Sequence, residues 1–258
     1  MKIQMLPSSI DENGMASARQ HLLSIVIDDC VAIDAGCLAM SCTDLQRSQI
    51  RDVVLTHTHL DHIAGLPMFI DDLFASLTEP LRIHATGQMI EILERDIFNW
   101  SVYPRFSELT NGHGPVVEYH EFARGAEFRV KHLNVRSVGV NHPVSACGYI
   151  VSDGKLSVAI TGDTSETDDI WKICNSLTDL KAVFVECAFP DELGELASVS
   201  HHLTPGRLES EIGKLTDRDY PVFVINMKPM YRETVIAQIR KAGLPQVETL
   251  AVGKVYEF

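Results

Sequence analysis

Several features are missing from this 258-residue chain, and each absence excludes something. No run approaches the roughly 18–20 apolar residues that a membrane-spanning helix needs. The first residues, Met1-Lys2-Ile3-Gln4-Met5-Leu6-Pro7, lack the longer apolar core of a secretory signal and read as a first strand. A cytoplasmic location with no membrane partner is therefore expected. The six cysteines (Cys30, Cys37, Cys42, Cys147, Cys174, Cys187) contain no C-x-x-C pair, so a thiolate zinc site is not indicated and free thiols are expected. No stretch carries five or more basic residues in a row. With a net charge of −13, the chain is poorly suited to long nucleic acids, which are bound through Lys/Arg contacts to phosphate. It also shows no low-complexity segment, internal repeat or Pro/Gly/Ser linker, so 1–258 is expected to form a single domain.

What is present is ordinary in bulk and unusual in one place. A hydrophobic content of 45% with 22% charged residues suits a globular protein. His57-Thr58-His59-Leu60-Asp61-His62 then places four metal-binding side chains within six residues, although the whole chain has only 11 His. The apolar run Val53-Val54-Leu55 just before it reads as a buried strand, and Ile63–Leu77 after it reads as a helix. A strand ending in His-x-His presents both imidazoles from a strand-to-helix loop.

Strands are expected at Ile3–Leu6, His21–Asp28, Val31–Asp34, Leu81–Ala85, in short pieces from Val116 to Val140, at Tyr149–Ser152, Leu156–Thr161, Ala182–Glu186 and Val222–Asn226, and near the end of the chain. Asp34-Ala35-Gly36 and Asp153-Gly154 read as turns. Helices are expected at Gln88–Trp100, Glu166–Leu177, from Thr204-Pro205 with Thr204 as N-cap, and at Arg232–Ala242. Strands interleaved with helices in both halves imply an α/β (α+β) protein of two packed mixed sheets with helices outside.

Three more candidate ligands follow expected strands: His142 after Val135–Val140, Asp163 in Thr161-Gly162-Asp163-Thr164, and His202 in Ser200-His201-His202-Leu203-Thr204. The order His-x-His-x-Asp-His, His, Gly-Asp, His resembles the metallo-β-lactamase fold superfamily from Asp34-Ala35-Gly36 to His202. That resemblance implies an αββα four-layer sandwich with two metals. His57, His59 and His142 would hold the first ion, and Asp61, His62 and His202 the second. Asp163 would bridge them, with His201 the rival for His202. Imidazole and carboxylate suit zinc, with manganese or iron(II) as alternatives.

Further segments resemble class II 3′,5′-cyclic-nucleotide phosphodiesterases: the run His57 to Pro67, Ile97-Phe98-Asn99-Trp100 with Tyr103-Pro104-Arg105-Phe106, Val140-Asn141-His142, Glu186-Cys187-Ala188-Phe189 and His202-Leu203-Thr204-Pro205. The implied substrate is cyclic AMP or cyclic GMP, opened to a 5′-nucleotide by a metal-bridging hydroxide, with Asp61 and Asp163 catalytic. Two divalent ions, less two carboxylates and a hydroxide, leave one net positive charge to meet a phosphodiester. Asn99, Tyr103, His201 and Lys228 are the candidate substrate contacts, with the aromatic stretch Phe98 to Phe106 as a purine wall and His201 narrowing the mouth of the site. Where family members often carry His-x-Lys-Pro, this chain has Asn226-Met227-Lys228-Pro229. Relatives are often homodimers. Alternatives are hydrolysis of a cyclic dinucleotide, lactone or thioester on the same centre, or a metal-containing nucleotide sensor without turnover.

Overall fold

In the computed structural model, residues 1–216, 219–244 and 246–258 are described, and they fall into two compact units. The first comprises 1–18, 22–123 and 252–257. Its seven-stranded sheet runs, in spatial order, Val255–Glu257, Lys2–Met5, Ile25–Ile27, Val31–Ile33, Asp52–Val54, Leu81–Ala85 and Val117–Glu121. The first three pairings are antiparallel and the last three parallel. Short strands such as Ile25–Ile27 and Val31–Ile33 are buried at every position, as strands covered on both faces must be.

The second unit comprises 19–21, 124–251 and Phe258. Its sheet, also seven-stranded, orders Val247–Thr249, Val222–Ile225, Leu180–Glu186, Ser157–Ile160, Cys147–Ser152, Leu133–Gly139 and Glu127–Val130. It too divides into a parallel half and an antiparallel half, with the change at Ser157–Ile160. Helices Asp169–Ser176, Pro205–Ile212 and Arg232–Ala242 flank it. They bury Ile170, Trp171, Leu208, Ile212, Val235 and Ile239 in a core shared with Val183, Val185, Val222 and Val224. Glu211 is buried among them, its desolvation offset by bonds accepted from Trp171 Nε1 at 2.7 Å, Thr167 N at 3.0 Å and Lys214 Nζ at 2.7 Å.

The expected elements recur with four corrections. The helix expected at Ile63–Leu77 is two helices, Leu60–Ile63 and Leu66–Leu73. Pro67 offers no N–H to continue the first, while it suits the opening turn of the second. The helix expected at Gln88–Trp100 is α-helical over Gly87–Ile92 and then widens into a π-turn at Leu93–Ile97, closed by Phe98 N donating to Leu93 O. Thr204 has extended N-cap backbone geometry before Pro205, but its side chain makes no capping bond. The segment before Ile25 is loop, so that strand is shorter than expected. Two unanticipated helices, Leu38–Ser41 and Asp44–Gln49, precede the ligand strand; Thr43 and Gln46 form a reciprocal capping box at the start of the second.

Candidate metal-binding residues

In the first unit the run His57 to His62 follows strand Asp52–Val54, with His59 at the N-cap of helix Leu60–Ile63. Main-chain bonds from two other loops hold it: Leu23 N donates to Asp61 O and Ala35 N to His62 O, both at 2.7 Å. Gly36 and Gly65 permit that approach. A Cβ on Gly36 would sit 2.0 Å from Asp61 O, and one on Gly65 would sit 2.6 Å from Ala35 O. The imidazoles are drawn together on this loop. The His57 and His59 ring centroids are 4.7 Å apart, and those of His57 and His62 are 4.1 Å apart.

Asp34, read from sequence as a turn residue, is a buried anchor for two of these rings. Its backbone is left-handed (φ +59°). Oδ1 accepts from Thr56 N at 2.7 Å, and Oδ2 accepts from His62 Nδ1 and Thr56 Oγ1, each at 2.6 Å. Thr56 Oγ1 lies 3.0 Å from His57 Nδ1. Since the hydroxyl proton goes to Asp34, the same oxygen accepts from His57 Nδ1–H. One carboxylate thus selects the Nδ1–H tautomer of His62 directly and of His57 through a hydroxyl, which leaves Nε2 of each ring as the nitrogen able to ligate a cation.

In the second unit His142 follows strand Leu133–Gly139, Asp163 follows Ser157–Ile160, and His202 lies between helices Gly194–Ser200 and Pro205–Ile212. The His142 and His202 rings meet edge to face at 5.4 Å. His142 Nδ1 is 3.3 Å from His201 O. His202 is buried, with Nδ1 2.8 Å from Glu186 Oε1 and 3.9 Å from Asp163 Oδ2. Fully buried Glu186 also accepts from the backbone of Thr164, Ala188 and Leu203. Burial pushes the Glu186 carboxyl above its usual range. Burial alone would oppose the His202 cation, but the Glu186 hydrogen bond and charge outweigh it and raise His202. A proton is thereby kept between the two.

His201, the rival ligand, is half-buried and left-handed (φ +53°), and its Nδ1 is 2.8 Å from Asn141 Oδ1. Lys228 is close enough for its charge to oppose protonation of His202. Asn226 donates from Nδ2 to Asp163 Oδ1 at 2.6 Å.

The other proposed contacts lie in the first unit. Asn99 is committed to its own turn: Nδ2 donates to Arg95 O, and Oδ1 accepts from Ser101 N and Val102 N. Tyr103 is half-buried beside Phe106, while Phe98 and Phe106 are core residues and Trp100 is exposed.

In each unit, imidazoles held at Nδ1 by carboxylate, hydroxyl or carbonyl, together with acidic side chains, are donors of the kind that suit a divalent cation. Sequence reasoning missed Asp34 and Thr56. The available signal was an Asp directly after the wholly apolar strand Val31–Ile33 and a Thr directly after the apolar run Val53-Val54-Leu55.

A model of the β-lactamase superfamily domain matches residues 29–217, and the chain belongs to the metallo-β-lactamase superfamily. Its two mixed seven-stranded sheets with flanking helices are that superfamily's fold. Among curated relatives, it is 25% identical over 226 residues to a probable 3′,5′-cyclic-nucleotide phosphodiesterase of Yersinia pestis, covering 78% of this chain and 63% of that protein. It is 26% identical over 191 residues to a 3′,5′-cyclic-nucleotide phosphodiesterase of Aliivibrio fischeri, covering 67% of this chain and 56% of that one. The chain thus spans about three-fifths of the length of the relatives it matches. Among solved structures, unliganded yeast PDE1 superposes with a TM-score of 0.77 at 15% identity, over 98% of both chains. Among the described residues, no helix is long and apolar enough to cross a membrane.

Proposed function

We propose that the chain is a metal-dependent phosphodiesterase that hydrolyses 3′,5′-cyclic nucleotides to 5′-nucleotides. The observation that carries the reading is the set of imidazoles anchored at Nδ1, above all the Asp34–His62 pair. The similarity to two cyclic-nucleotide phosphodiesterases supports the choice of substrate.

In this proposal His57, His59 and His142 would hold one ion and Asp61, His62 and His202 the other, with Asp163 serving both. Zinc is the expected metal, with manganese or iron(II) as alternatives. Two bound divalent ions would supply an ionised water and positive charge for a phosphodiester.

The protein's own residues then have separate tasks. Asp34, Thr56 and Glu186 hold tautomers. Lys228 offers an ammonium to a phosphate oxygen. Tyr103 offers a ring face to a purine, with Asn99 shaping the turn beside it, and His201 borders the substrate from a half-buried position. The net charge of −13 favours a small nucleotide over a long polyanion. A homodimer and a cytoplasmic location belong to the same proposal.

The test is zinc-loaded protein assayed in parallel with cyclic AMP, cyclic GMP, a cyclic dinucleotide, a lactone and a thioester. Cyclic mononucleotides are expected to turn over fastest. Turnover of only the lactone or thioester would overturn the substrate assignment, and tight nucleotide binding without product would establish a sensor instead. Asp163→Ala is expected to lose both bound metal and activity.

A further inference from the structure

Asn226 stands where strand Val222–Ile225 ends, and its backbone is left-handed at φ +53°. Few side chains other than glycine accept that conformation, and asparagine is one of them. The residue is 7% exposed, so its amide is almost wholly withdrawn from water. Strand Leu180–Glu186 separates Val222–Ile225 from Ser157–Ile160, the strand that leads to Asp163. The Asn226 amide therefore spans the end of an intervening strand to place Nδ2 2.6 Å from Asp163 Oδ1. Asp163 is 1% exposed. A left-handed residue at a strand end whose buried amide meets a buried carboxylate at short range is a costly arrangement to maintain for packing alone.

We propose that Asn226 is a positioning residue that fixes the Asp163 carboxylate for cation binding, an inference that rests on the metal-dependent reading above. The amide satisfies Oδ1 and sets the carboxylate rotamer, so that Oδ2 is the oxygen presented to a cation. Its neutrality matters as much as its geometry. An ammonium or guanidinium at the same place would also hold the carboxylate, but it would cancel the charge on which the cation depends. A neutral donor orients the ligand without competing for it. The neighbouring pair has a parallel logic: Glu186 fixes His202 through Nδ1.

The experiment is zinc titration of metal-free protein against a chromophoric competing chelator, with the melting temperature of each metal-free variant measured alongside. Asn226→Gly retains the left-handed backbone and deletes the amide. It is expected to weaken one class of zinc site about 10- to 100-fold, the range for loss of a partner that orients a ligand, while its melting temperature stays within a few degrees of wild type. Asn226→His also tolerates the backbone and carries an N–H; it is expected to recover affinity to within about threefold of wild type. Asn226→Lys is expected to weaken zinc at least as much as glycine does. Wild-type affinity in Asn226→Gly would overturn the proposal, as would equal losses in the glycine and histidine variants. Wild-type protein that takes up no zinc would instead remove the metal-dependent reading itself, so the two failures are distinguishable.

Discussion

Asp34→Asn changes one atom of a buried carboxylate, and the hydrogen bonds around it determine the consequence. Asparagine tolerates the left-handed backbone at this position, so the main chain has no reason to move. If the amide oxygen remains opposite Thr56 N, the new NH2 replaces Oδ2 and faces two donors, His62 Nδ1–H and Thr56 Oγ1–H. The favourable response is for His62 to shift its proton to Nε2, which abolishes that nitrogen as a ligand, and for the Thr56 hydroxyl to turn away, which releases His57 from its relay. Partners of this kind support metal binding by about 10- to 100-fold, or about 1.4–2.7 kcal/mol at 1.36 kcal/mol per decade. Both His62 and Asp34 are fully buried, which places the loss toward the upper end. Competition titration of zinc into metal-free variant protein measures it directly. Thr56→Val, which removes only the relay to His57, is expected to lose less. The reasoning is refuted if Asp34→Asn binds zinc as tightly as wild type, or if its near-ultraviolet circular dichroism shows that the fold has been lost instead.

Gly36→Ala would drive a methyl group into Asp61 O and the main chain of Leu23, so at least about 2 kcal/mol of stability is expected to be lost; an unchanged urea midpoint would contradict that close approach. Trp171→Phe keeps the ring buried but removes the 2.7 Å bond to Glu211 Oε2, at an expected cost of about 1.5–3 kcal/mol by chemical denaturation. Asp52 is buried, which alone would raise its carboxyl, but the two-pronged bond from Arg82 and the contact with His84 outweigh burial and hold it below the usual range. Its contribution is therefore intact above the ordinary carboxylate value of about 3.9 and fades as pH falls below it. Arg82→Met should lose stability at neutral pH and show a smaller further loss between about pH 4 and pH 2 than wild type does; parallel acid limbs would refute this.

The candidate run His57 to His62 stood out in the sequence because four potential donors in six residues, following an apolar strand, have few other uses. Strands buried on both faces were legible from continuous Val/Ile runs, and Arg232–Ala242 from its helical period. The break between Ile63 and Leu66 was missed because apolar periodicity continues across it, whereas Gly65 and Pro67 determine the backbone. Leu38–Ser41 was too short to show a period; Asp44–Gln49 carried a readable Thr43/Gln46 signal that was passed over. Asp34 was read as a turn residue because its neighbours are Ala and Gly. Its partners Thr56 and His62 lie 22 and 28 positions away, and local pattern does not report such pairings.

The clamps on the ligand run have a consequence for how such a protein can change. Leu23 and Ala35 grip the carbonyls of Asp61 and His62, and Gly36 and Gly65 admit the grip, so the frame depends on main chain and on two missing methyl groups. None of this asks which donor each side chain carries. A lineage could exchange one imidazole for a carboxylate and acquire a different reaction while the scaffold beneath stayed as it was. The two glycines would be barred from drifting.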